Sequence, residues 1–100
     1  MLKVKDNIDL NVLKKYGFKK HKSDEKGVVV SKWCREICYG DDDSDKYYFQ
    51  FHPLIEIIPN SKGENFLYFR NSYYNFKYII ADTIYELTKA NLLEYVKVYV

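Results

Sequence analysis

The sequence predicts an α+β protein: a mostly antiparallel sheet of four to five strands, with two helices packed on one face, in the order α-β-β-β-β-α-β. Three observations carry that prediction. Runs rich in β-branched and aromatic residues at 28–39 and 47–58 flank a polar, acidic loop. Phe76, Ile79, Ile80, Thr83, Ile84 and Leu87 recur at three- and four-residue steps, the stripe of a core-facing helix. Val96, Val98 and Val100 alternate with Tyr95, Lys97 and Tyr99, as in a strand.

The elements follow in order. Leu2 to Lys5 reads as a short strand or arm. A helix is expected over 9–16, with Asp9 accepting from the free amides of its first turn. Gly17 suits the left-handed conformation that ends a helix, and Phe18 folds back on the last turn. Phe18 to Lys22 is a strand, turned at 23–27 into the long strand Val28 to Tyr39. After the loop 40–45, Tyr47 to Ile58 is the next strand. Pro53 has no amide to donate, so a bulge, a bend or an edge position is expected there. The turn 59–63 leads to a strand from Glu64 to Arg70 with both faces partly apolar. The last helix spans 73–90, capped by Ser72, with Asn91 left-handed and Leu92 as its hydrophobic contact. Residues 94–100 form the final strand.

The 100 residues, 12.0 kDa, are enough for one domain, 1–100. A chain of this size buries roughly 65% of its unfolded surface. The apolar share of 47% and charged share of 30% exclude a disordered or membrane-spanning chain. The opening residues lack the apolar region of a secretory signal, so the expected location is the cytoplasm, with Cys34 and Cys38 reduced. The net charge of +2 is below the excess usual for a strong polyanion binder. It is unevenly placed: residues 1–27 carry eight Lys against four acids, and residues 28–46 three basic residues against five acids.

No catalytic signature is present. The four glycines at 17, 27, 40 and 63 are isolated, so no phosphate-cradling loop can form, and there is no G-x-S-x-G elbow. Asp41, Asp43 and Asp45 have the alternate spacing of a calcium loop. Its sixth position is Lys46 instead of Gly and its twelfth His52 instead of Glu. Cys34 and Cys38 on one strand lie about 13 Å apart, too far for one zinc ion. The expectation is a protein with no enzymatic activity, no cofactor and no metal.

Binding readings have more to work with. Eleven tyrosines exceed what a small core hides, and tyrosine is a favoured anchor of protein interfaces. The expected protein-binding residues are Tyr47 and Tyr48 with the loop Asp41, Asp42, Asp43 and Asp45. The alternative is single-stranded nucleic-acid binding by Lys19, Lys20 and Lys22 with Tyr73 and Tyr74, through phosphate contacts and stacking. A strand over 94–100 at a sheet edge would also allow a homodimer.

Three stretches carry a resemblance. The opening Leu2-Lys3-Val4-Lys5-Asp6-Asn7-Ile8-Asp9-Leu10, the Lys15-Tyr16-Gly17-Phe18 step, and Ile84-Tyr85-Glu86-Leu87-Thr88-Lys89-Ala90-Asn91-Leu92-Leu93-Glu94 resemble small proteins of phages and prophages of low-GC Gram-positive bacteria. They cover about a third of the chain. The resemblance implies a mobile-element protein, some of which block host defences by binding a nuclease complex or sequestering a signal nucleotide. It carries over no binding residue.

Overall fold

The computed structural model describes residues 1–24, 27–39, 47–69 and 77–97, with 24, 34–39 and 47–53 described through the backbone alone. In chain order the elements are β1 (Leu2–Val4), a 3-10 helix (Leu10–Tyr16), β2 (Phe18–Asp24), β3 (Gly27–Tyr39), β4 (Tyr47–Pro59), β5 (Asn65–Phe69), α1 (Lys77–Lys89) and β6 (Leu93–Tyr95). The strands form one sheet in the order β2-β3-β4-β5-β1-β6, with every neighbouring pair antiparallel.

The sheet has six strands where four to five were expected, and the order begins with a strand. Leu2–Val4 is a full member of the sheet, lying between β5 and β6 through Lys3↔Phe66, Leu2↔Tyr95 and Val4↔Leu93. The short strand or arm read at Leu2 to Lys5 is thus a strand at Leu2–Val4, and long-range pairing makes it a member of the sheet. The terminal strand pairs at Leu93–Tyr95. Beyond it the Val96 amide donates to the Met1 carbonyl at 2.8 Å, and the Met1 amine donates to the Val96 carbonyl at 2.6 Å. Residues 98–100, Ser72 and the expected start of the last helix at 73–76 lie outside the described residues.

The caps follow the sequence. Asp9 Oδ1 accepts from the Asn11 amide at 3.0 Å. Gly17 sits at φ 92° and its amide bonds back to the last turn. Asn91 sits at φ 60°, and Leu92 N donates to Leu87 O at 3.0 Å, closing α1. The first helix is a 3-10 helix of seven residues, a form that favours short pieces.

Register sets the core. Phe18 pairs with Lys32 and Lys32 with Ile55, while Val30 pairs with Ile57 and Ile57 with Leu67. These positions share one side of the sheet. Phe18, Val30, Ile55, Ile57 and Leu67 there join Leu13 of the 3-10 helix and Leu87 of α1 in one buried cluster. Each fully buried aliphatic side chain contributes about 1.5–3 kcal/mol relative to exposure.

Pro53 marks the bulge that its missing amide predicts. Lys32 pairs with Ile55 but Trp33 pairs with Pro53, so Leu54 is the extra residue on β4. Leu54 is buried in the core. Past the bulge, residues 33–39 of β3 pair only with residues 47–53 of β4. The last partner of β2 along β3 is Lys32, and the last partner of β5 along β4 is Ile55. The hairpin therefore continues as a two-stranded arm, with no further strand on either edge among the described residues.

Candidate functional site

Strand alternation divides the basic stretch. Lys20 pairs with Val30 and so lies on the helix-bearing side of β2. Lys19 pairs with Ser31 and Lys22 with Val29, which places both on the opposite side. His21 is the extra residue of a bulge between Lys20 and Lys22. All three lysines are exposed, yet they do not form one patch. Tyr73 and Tyr74 lie outside the described residues.

On the helix side, the 3-10 helix and the β2–β3 hairpin enclose a groove. Its floor is Leu10, Phe18, Val28 and Val30. Its rim carries Asp9, Asn11, Lys14 and Lys20. Lys14 and Lys20 are exposed, and neither has an ion-pair or hydrogen-bond partner among the described residues. Lys15 differs: its Nζ sits 5.4 Å from the centre of the Tyr16 ring. Sequence reasoning named Lys20 but not the groove, because the groove depends on where the 3-10 helix lies over the hairpin.

On the opposite side of the sheet, His21 Nδ1 lies 3.2 Å from Ser31 Oγ and 3.9 Å from Glu56 Oε2. The imidazole meets Trp33 edge-on, 5.0 Å between ring centres. A serine, a histidine and a carboxylate together invite comparison with a nucleophilic triad. There the serine and the acid take opposite ring nitrogens; here both approach Nδ1. Ser31 is also fully buried, so its hydroxyl cannot meet a substrate. The cluster braces the β2–β3–β4 surface. The sequence did not reveal it, because it depends on the register that sets β2, β3 and β4 side by side.

Lys3 is a second polar centre. It is buried, and its ammonium meets Asp6 at 2.9 Å, Glu64 at 3.0 Å and Glu94 at 3.8 Å. The hydrogen bonds it donates to Asp6 and then to Glu64 hold its pKa well above the usual lysine value. Glu64 is held below the usual carboxylate value, first by Asn60 and then by Lys3. The cluster pins β1 to β5 and β6, and all four charges are used in doing so.

Tyr47 and Tyr48 fall at the far end of the arm, paired with Tyr39 and Cys38. Asp41, Asp42, Asp43 and Asp45 lie outside the described residues. Among the described side chains, four phenols face solvent: Tyr68, Tyr78, Tyr85 and Tyr95 are 45%, 77%, 66% and 71% exposed. Tyr78 and Tyr85 stand seven residues apart, two turns along the same flank of α1.

Comparison with protein-family models, curated proteins and solved structures found no match. The architecture defines a small α+β protein with an antiparallel six-stranded sheet and two helices. Among the described residues, no helix is long and apolar enough to cross a membrane.

Proposed function

We propose that this chain is a non-enzymatic binding protein of a phage or other mobile element. It acts in the host cytoplasm by docking on a host or phage protein and occluding a surface of it, inhibition of a host defence complex being one instance. The observation that carries the reading is the β3–β4 arm. Among the described residues, the hairpin runs from Trp33 outward with no third strand beside it. A two-stranded ribbon is marginal in water, and its free edges accept an added strand from another chain. Tyr47 and Tyr48 sit at the end of that ribbon, and the exposed phenols of α1 add anchors of the type interfaces favour.

The test is affinity capture from host lysate with the full chain, Tyr47→Ala/Tyr48→Ala, and Lys62→Ala as the control. The reading expects one partner that the full chain and the control retain and the double variant loses. No specific partner, or a partner indifferent to Tyr47 and Tyr48, overturns it. The second reading, single-stranded nucleic-acid binding, draws on the exposure of Lys19, Lys20 and Lys22. It expects an oligonucleotide shift at low salt whose affinity falls steeply as salt rises. No shift at low salt removes it.

A further inference from the structure

We propose that the groove between the 3-10 helix and the β2–β3 hairpin binds a small amphipathic monoanion, with a short or flat apolar body and one carboxylate, sulfonate or phosphodiester group. The groove encloses about 420 Å³, within the roughly 300–1,000 Å³ of small-molecule sites. Its lining is mainly apolar, with the polar groups confined to the rim. Phe18 and Val30 are locked in the core, which fixes the floor, while Val28 is 38% exposed and offers its side chain to an occupant.

Charge selects the occupant. Lys14 comes from the helix wall and Lys20 from the strand wall. Both lack a partner among the described residues, so their ammonium groups are available to an anion. Asp9 is the counterweight at the rim, with Oδ1 already engaged by the Asn11 amide. Two cations against one carboxylate leave a local charge of about +1, which suits a single negative group. The apolar body is not a stacked nucleobase, because the Phe18 ring is only 2% exposed and presents no free face. The site is independent of the arm and of the docking function proposed above.

The test uses 8-anilinonaphthalene-1-sulfonate as the anionic probe and N-phenyl-1-naphthylamine as the same body without charge. Amide and methyl NMR spectra of the full chain report where each binds. The expected result is one saturable sulfonate site, with shifts at Leu10, Phe18, Val28 and Val30. Lys14→Ala/Lys20→Ala should weaken it about tenfold, two lost charged contacts at exposed positions. The neutral probe should bind more weakly and ignore the lysines. Val28→Trp, which fills the groove, should abolish binding while the remaining spectrum stays native. No saturable binding, shifts centred on α1 or the arm, or equal affinity with and without the two lysines would overturn the proposal.

Discussion

Lys32 on β3 donates through Nζ to Oγ1 of Thr83 on α1, at 2.8 Å. Thr83 is buried and donates in turn to the Ile79 carbonyl at 2.7 Å. The lysine stem also passes Gly17, where a Cβ would stand 3.3 Å from Lys32 Cε. One side chain therefore ties the sheet to α1 and passes the glycine that caps the 3-10 helix. Thr83→Val keeps the shape and removes the acceptor, leaving a partly buried ammonium without its partner. The expected loss is about 1–2 kcal/mol, read from the urea midpoint. Lys32→Met in the same background should recover part of it, and additive effects in that double-mutant cycle would disprove the coupling.

The same lysine sets an alkaline pH dependence. Burial lowers the Lys32 pKa from the ordinary 10.5, opposed by Glu86 and Asp82. Between the lowered value and 10.5 the unfolded chain binds more protons than the folded one, so stability from this group rises with pH across that window. Denaturation midpoints at pH 8 to 10 should show a rise that Lys32→Met lacks; identical slopes would refute the assignment.

Lys3 and Glu64 give opposite signs. The Glu64 pKa is lowered, so its contribution is complete above the usual carboxylate value and lost as pH falls through the folded one. The Lys3 pKa is raised, so its contribution is complete below 10.5 and lost only as pH climbs through a still higher value. Lys3→Met should lower the Tm at pH 7, and the deficit should shrink by pH 2 as its carboxylate partners protonate. A deficit that stays constant with pH would mean Lys3 acts by packing its stem alone.

Much of this architecture was readable because local chemistry agreed with the global fold. Gly17 and Asn91 both adopt the left-handed caps that their positions demanded. Pro53, lacking an amide, announced a bulge, a bend or an edge, and the register shows a bulge. The stripe on α1 buries Thr83 and Leu87, with Ile80 and Ile84 packed beside them. What escaped depends on register or distant pairing. β1 was readable as a short strand or arm, but not its place between β5 and β6. Alternation separates Lys20 from Lys19, and the bulge at His21 puts Lys22 on the side of Lys19, so a run of basic letters did not make one surface. The groove and the His21–Ser31–Glu56 cluster each need two elements brought together by turns.

Gly17 supplies a prediction with an internal control. Gly17 and Gly63 both have positive φ, 92° and 80°. Nothing lies within 4 Å of a Cβ at Gly63, whereas one at Gly17 meets Lys32 Cε. Gly63→Ala should cost only the backbone strain, about 1 kcal/mol. Gly17→Ala should cost more, because Lys32 is tethered to Thr83 and cannot swing away freely. Releasing the tether with Thr83→Val should shrink the excess. Equal thermal shifts for the two glycines would show that the lysine yields without cost.

The outer edge of β6 bears on self-association. Only β1 pairs with β6 among the described strands, so a second copy can add edge to edge. The strand is three residues long, which limits the number of added hydrogen bonds. Antiparallel pairing centred on Glu94 would set two carboxylates opposite each other, a destabilising arrangement that salt relieves. The homodimer expected from the sequence should therefore be weak, tighten as salt rises, and scatter light at twice 12.0 kDa only at high concentration. Shortening the chain to end at Lys97 keeps the Met1–Val96 bonds and removes the final residues of the 94–100 segment. If that segment extends the pairing, the shortened chain should remain at monomer mass under conditions where the full chain dimerises. A full chain that scatters as a monomer at every concentration and salt level would eliminate strand-edge association.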